Sequence, residues 1–211
     1  MKIFRINNSL GDFPERALRA LAGSDAPSPD VVDVSLLPDS ATVNRGRPVF
    51  VPDFVDATWR LALVPMFRIG RLGKYIEPRF AYRYVDGVGL GATLMPARDI
   101  EQRAVPALGA AFDGALAMGA FLDINTEYSP LLKAAGLQVC AGGRRAVTGM
   151  DEMHLFDAVA LLSRYCTLRT GDVVIPGIVA GLEVEPLVDT LVEAEGTLGT
   201  LALPPLSFRL K

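Results

Sequence analysis

Imidazole and thiol chemistry have little to draw on in this chain. His154 is the only histidine, and Cys140 and Cys166 are the only cysteines among 211 residues. A serine or cysteine nucleophile with a histidine base would have to use His154. Leu155, Val159, Leu162 and Cys166 fall at helical spacing, which puts His154 near the start of a helix and Cys166 at its end. Twelve residues of helix span about 18 Å, so these two residues form no dyad. His154 therefore reads as a helix-surface or hydrogen-bonded interface residue. Zinc, which prefers Cys and His ligands, is disfavoured. Gly87-Val88-Gly89-Leu90-Gly91 imitates a phosphate loop, but it opens a strand and no helix follows. Close backbone approach within a twisted sheet is the better reading. Carboxylate and guanidinium chemistry remains. Arg98 and Asp99 are ligand-binding candidates, and Asp53, Asp56, Asp86 and Asp99 form an acidic set that could serve a hard metal ion.

The elements that must position these residues are short. Ile3 to Ile6 reads as a strand. Asp12 caps a first helix, with Pro14 in its first turn, Glu15 completing a capping box and Gly23 as its stop. Ser24 to Asp30 is a loop. Pro48 to Phe54 has the alternation of an edge strand. Trp59 to Ile69 is apolar enough for a strand buried on both faces. Pro78 opens a short helix closed by Gly87, and Val88 to Met95 returns as a strand. Thr148, with Asp151 three residues on, predicts a second helix running to Cys166. Val173 to Ile175 is a strand ended by Pro176-Gly177. Ile3, Ala62, Val64, Phe80, Val85, Phe156, Val159, Leu162 and Val174 are expected in the core. The pattern is that of an α+β protein dominated by β-structure, one domain over residues 1–211.

Composition narrows the class. Half the residues are apolar and about a fifth charged, which suits a large buried sheet or a subunit interface. A net charge of −3 argues against a nucleic-acid surface. Basic residues gather between Arg60 and Arg103, whereas none occurs from Thr170 to Phe208, where Glu183, Glu185, Asp189, Glu193 and Glu195 accumulate. Pairing of the two segments across a sheet or a dimer is expected. Ala104 to Leu122 holds one charge, Asp113, but its Ala and Gly content and a central acid costing about 2.5–3.5 kcal/mol exclude a membrane span; it reads as a loop-rich buried segment. No apolar leader precedes the first strand, and the cysteines show no disulfide framework, so a reducing cytoplasm is expected.

An ordered set of short motifs carries a resemblance. Pro38-Asp39-Ser40-Ala41, Gly46-Arg47-Pro48 and Pro52-Asp53-Phe54 are followed by Arg71-Leu72-Gly73-Lys74, Arg79-Phe80-Ala81, Ala97-Arg98-Asp99 and Leu168-Arg169-Thr170-Gly171-Asp172. In order and spacing the set resembles the small single-domain bacterial members of the fumarylacetoacetate hydrolase family. That resemblance implies a twisted mixed β-sheet roll with a few packed helices. It also implies a Mg²⁺ or Mn²⁺ site built from two glutamates at i and i+2 on a buried strand and an aspartate on a later one. Such a metal would polarise a 2-oxo or β-diketo acid and stabilise the enolate left by carbon–carbon cleavage.

This chain departs from that pattern at the polar positions. The glutamate positions fall on Ala62 and Val64, and the aspartate on Thr93, or on Leu94 if a gap is moved. The family's lysines align with Ala110 and Leu37, its Asn-Gly turn with Ala141-Gly142, a nearby threonine with Met150, and its Gly-Thr-Pro with Gly177-Ile178-Val179. Ile6-Asn7-Asn8 leads to no lid histidine. The expectation is a repacked pocket with no metal, no cofactor and no catalytic residue, Thr93, Arg98 and Asp99 being the remaining ligand-binding candidates. The protein would act as a binding or structural partner, as a homodimer or paired with an active relative, and would take at most a small acidic metabolite. The alternative is an active hydrolase, decarboxylase or isomerase on a 2-oxo or β-diketo acid with a divergent site.

Overall fold

Alternation in Ile3-Phe4-Arg5-Ile6 and continuous hydrophobicity in Trp59–Ile69 produce the two strands on which the rest is organised. The computed structural model describes residues 1–7, 32–52, 59–96, 111–150, 154–178, 182–183 and 188–211. Its strands are β1 (Ile3–Ile6), β2 (Val34–Leu37), β3 (Thr42–Val43), β4 (Trp59–Ile69), β5 (Val85–Pro96), β6 (Leu116–Asp123) and β7 (Ala135–Ala141). They continue as β8 (Arg144–Met150), β9 (Val173–Ile175), β10 (Leu182–Glu183), β11 (Leu191–Leu198), β12 (Leu201–Ala202) and β13 (Leu206–Arg209). The larger sheet has the order β2-β1-β9-β4-β5-β6-β3, with β10 paired to β4. It is mixed: β1 runs parallel to β9 and β3 parallel to β6, the other pairs being antiparallel. The smaller sheet, β12-β11-β7-β8 with β13 on β11, is antiparallel. The fold is the mainly β α+β class expected.

The two faces of the larger sheet have different partners. Leu61, Leu63 and Phe67 of β4 and Val88, Leu90, Ala92 and Leu94 of β5 join the main core. There they meet Leu137 and Val139 of β7, Val192 and Ala194 of β11, and Leu155, Val159 and Leu162 of the helix. On the opposite face Val64 and Met66 join a smaller core with Ile3, Leu37, Leu116, Val173 and Ile175. Glycines let neighbouring chains approach: a Cβ at Gly89 would lie 2.8 Å from the Ala120 carbonyl oxygen. The close-approach reading of Gly87–Gly91 therefore holds.

Several expected elements are displaced. The helix runs Leu155–Tyr165 and does not start at Thr148, which pairs with Leu137 inside β8. The Gly142-Gly143 turn, at φ 53° and 76°, has the left-handed geometry of a tight hairpin. Its pairing of β7 with β8 overrides the local capping signal. Phe80 and Phe156 are half-buried, not buried. Phe80 lies beneath the Arg79 and Arg83 guanidinium carbons at 4.6 and 4.8 Å, and Phe156 meets Tyr82 edge-on at 6.5 Å. The helix expected after Pro78 is a 3-10 segment, Pro78–Tyr84. Leu116–Asp123, read as loop-rich, is a strand, because its backbone pairs with β5 despite Gly119. Within Pro48 to Phe54 the described part makes a single bridge, Val49 to Leu210, and no strand. The first helix, residues 12–23, lies outside the described residues. Among the described residues no helix is long and apolar enough to cross a membrane.

Candidate site on the inner face of the larger sheet

Period-two geometry puts Ala62 and Val64 on one face of β4. In the antiparallel register Ala62 faces Thr93 and Val64 faces Gly91. Leu94, in contrast, stands opposite Leu61 and belongs to the main core. Only Thr93 shares the face of Ala62 and Val64, so the three positions singled out by sequence do converge. All three are buried, at 3%, 0% and 0% exposure for Ala62, Val64 and Thr93.

A fourth residue completes the group. Arg5 is 2% exposed. Its Nη1 donates to Thr93 Oγ1 at 2.6 Å, and its Nε donates to Asn7 Oδ1 at 2.9 Å. Asn7 in turn donates to Ser35 Oγ at 2.8 Å. Thr93 Oγ1 donates to the Ala115 carbonyl at 3.0 Å. In the order β1-β9-β4-β5 three strand spacings, roughly 14 Å, separate Arg5 from β5, and the register sets Arg5 level with Gly89, four residues or about 13 Å along the strand from Thr93, so a flat sheet would hold the two roughly 19 Å apart. An extended arginine, a threonine Oγ and one hydrogen bond together span only on the order of 12 Å from standard bond lengths. The sheet therefore curls towards this face, and Arg5 reaches across its concave side. Period-two geometry puts Arg5 on the face of Ile3; it was not singled out from the sequence, where a charged residue inside an otherwise apolar strand was the signal that could have marked it.

Apolar side chains occupy the space beside these residues. A Cβ at Gly91 would fall 2.8 Å from Met66 Sδ and 3.2 Å from Val64 Cγ2. Leu116, opposite Thr93 on β6, and Leu37, at a position the resemblance assigns to a lysine, are both fully buried in the same cluster. The divalent ion implied by the resemblance does not fit this set. Two of its positions carry alkyl groups, and the hydroxyl at the third is engaged by the Ala115 carbonyl and by the buried Arg5 guanidinium. Among the described residues no group of three His, Cys, Asp or Glu side chains is placed to hold a metal.

The remaining candidates are dispersed. Arg98 and Asp99 lie outside the described residues, as do Asp53 and Asp56 of the alternative acidic set. Asp86 accepts from Arg68 Nε at 2.7 Å, and Arg68 also bonds Asp123 at 2.7 Å. These two carboxylates hold the Arg68 guanidinium above its ordinary pKa. The basic segment is thus paired locally with Asp86, Asp123 and, through Arg79, Glu77. Glu183, from the acidic segment, stands opposite Arg60 in the β10–β4 register. His154 precedes the helix at φ 47°, its Nδ1 3.2 Å from Asp157 Oδ2, and Cys166 caps the far end. Both cysteines are free. Ala141 ends β7 and lies in the other sheet.

Asp172 in the Leu168–Asp172 motif is buried and has a structural role. Its Oδ1 accepts the Lys2 backbone N–H at 2.8 Å, and its Oδ2 accepts the Arg169 backbone N–H at 2.9 Å and the Lys2 ammonium at 2.6 Å. Burial alone pushes the carboxyl up, but the Lys2 ammonium and the two backbone donors outweigh it and hold it below its ordinary range.

Residues 8–203 match the family profile described as fumarylacetoacetate (FAA) hydrolase C-terminal. No curated protein matches the chain. Among solved structures, a fumarylpyruvate hydrolase from Pseudomonas aeruginosa in complex with Mn2+ and pyruvate is similar, with 20% identity and a TM-score of 0.76 over 100% of this chain and 89% of that one. A 5-carboxymethyl-2-hydroxymuconate delta-isomerase from Mycobacterium smegmatis has 16% identity and a TM-score of 0.76, covering 99% of this chain and 78% of its own. A maleylpyruvate hydrolase from Sphingobium sp. SYK-6 has 14% identity and a TM-score of 0.75, with 99% and 70% covered. At these identities the likeness is one of fold.

Proposed function

The chain belongs to the fumarylacetoacetate hydrolase family, and on that premise we propose that it is a member without metal-dependent carbon–carbon hydrolase or decarboxylase activity, serving as a binding or structural protein. The observation that carries this reading is the filled concave face. Val64 and Met66 occupy the space over Gly91, and Arg5 is bonded to Thr93. Cleavage of a carbon–carbon bond to an enolate needs an electrophile to receive the developing charge. A site without its metal carboxylates and without the family's lysines has neither means of supplying one.

In this reading residues 1–211 are one domain, supported by a main core that draws on residues from Phe4 to Leu210. The protein is a cytoplasmic homodimer, or pairs with an active relative. Exposed Leu72, Tyr75 and Tyr165 support an interface. Tyr75 N–H bonds the Ser163 carbonyl and Gly73 bridges Leu168, which brings that segment beside the end of the helix. Any ligand is a small acidic metabolite, with Arg98, Asp99 and Thr93 as the candidate contacts.

Calorimetric titration with Mn²⁺, followed by acylpyruvate hydrolysis and oxaloacetate decarboxylation assays, tests the proposal. No stoichiometric binding is expected, and no turnover above the metal-only background. One tight Mn²⁺ per chain with metal-dependent turnover would refute it. The second reading, an active enzyme with a divergent site, is favoured by the hydrolase and isomerase structures that share this fold. Turnover that depends on Arg98 or Asp99 without a metal would select it.

A further inference from the structure

We infer that this chain carries the two complementary halves of one contact, a basic aromatic face around Tyr75 and Arg83 and an acidic face on β11, and that a second copy docks on them reciprocally. The inference rests on the homodimer reading above for the identity of the partner. Three pieces of chain build the first face. Gly70 N–H bonds the Tyr84 carbonyl, Tyr75 N–H the Ser163 carbonyl and Ile76 N–H the Ser163 hydroxyl, which ties residues 70–76 to the Pro78–Tyr84 segment and to the end of the helix. Leu72, Tyr75 and Tyr165 are 68%, 73% and 79% exposed there. Tyr75 sits at φ 53°, a backbone region unfavourable for so large a side chain, so its ring is held in solvent against local preference. Arg71 lies over Tyr84, and Arg83 over Phe80 and Tyr82. Both arginines are exposed, and among the described residues neither has the carboxylate partner that Arg68 and Arg79 have. The second face is the outer side of β11, where alternation exposes Leu191, Glu193 and Glu195. Its two carboxylates stand about 7 Å apart and form no ion pair among the described residues. Beside Glu195 the sheet opens into a groove of about 470 Å³ lined by Gln138, Val147, Thr197 and Leu203, with room for a ring such as that of Tyr75. The 3-10 segment Thr126–Lys133 touches both the Pro78–Tyr84 segment and β11, so the two faces flank one element. A two-fold axis beside that element sets each face of one copy against the opposite face of the other. Unlike charges then meet twice, and the exposed apolar residues are covered.

Charge reversal, read by sedimentation velocity, tests this. Arg71→Glu/Arg83→Glu presents two acidic faces and Glu193→Arg/Glu195→Arg two basic ones. Each alone is expected to be a monomer that melts as cooperatively as the native chain. An equimolar mixture of the two is expected to form dimers, because both contacts then join unlike charges, and the chain carrying all four changes is expected to do the same. Raising salt from about 0.05 to 1 M should weaken the native dimer at least about tenfold. That measurement needs no variant and decides alone if one fails to fold. Reversals that leave the dimer intact, monomeric variants that do not pair when mixed, or a native dimer indifferent to salt would overturn the docking of these faces while leaving dimerisation standing. A native chain of monomer mass would overturn the homodimer reading and this inference together, so the native mass separates the two failures.

Discussion

Replacing Asp172 with asparagine keeps the size of the side chain and removes its charge. In the native protein one carboxylate oxygen takes the Lys2 N–H, while the other takes the Arg169 N–H and the Lys2 ammonium. An amide satisfies only one of these sides, and its NH₂ must oppose donors on the other. Hydrogen bonds to a charged group are worth about 1.5–3 kcal/mol each. The ammonium share is discounted because the Lys2 side chain is 30% exposed. A net loss of about 3 kcal/mol at pH 7 is expected, or about 6–12 °C in melting temperature for a chain of this size. The pH dependence follows from the lowered pKa of Asp172. A carboxyl held below its unfolded value stabilises the fold fully above about pH 4, and the contribution disappears as pH falls through the lowered folded value. The stability gap between wild type and Asp172→Asn should be flat from pH 5 to 8 and narrow below about pH 4. Urea unfolding at several pH values, with tryptophan fluorescence of Trp59, measures it. No gap at pH 7, or a gap that persists undiminished at pH 3, would refute the reasoning.

Ser163 is fully buried; its Oγ accepts from Ile76 N–H at 2.8 Å and donates to the Ala160 carbonyl at 2.7 Å. Ser163→Ala should cost about 1–3 kcal/mol by orphaning that N–H, measured by urea unfolding. Gly119→Ala drives a Cβ into the Leu90 carbonyl and should cost about 1–3 kcal/mol. Gly149→Ala meets nothing within 4 Å and should be neutral or stabilising; similar losses for both would contradict the packing described. Light scattering should give twice the 22.6 kDa chain mass, and Leu72→Glu with Tyr165→Glu should give a monomer that still melts cooperatively. An unchanged mass would remove that surface as the interface.

What could be read from the sequence was whatever depends on near neighbours. Continuous apolar residues in Trp59–Ile69 make a strand covered on both faces, and the bounds of β4 agree with it. The i, i+2 spacing of Ala62 and Val64 puts them on one face under any pairing, because that is local backbone geometry. The order of Gly, Pro and Arg motifs carried the family likeness, since those residues shape turns wherever they occur. The start of the helix was not legible from Thr148. A capping pattern is worth about a kilocalorie, less than the seven paired residues that hold Arg144–Met150 against β7. Register and curl were also undetermined, and they decide the site. Pairing across β4 and β5 selects Thr93 over Leu94. The curl of the sheet brings Arg5 to a partner 88 residues away. Neither leaves a trace in local spacing, because each is set by packing between strands distant in the chain.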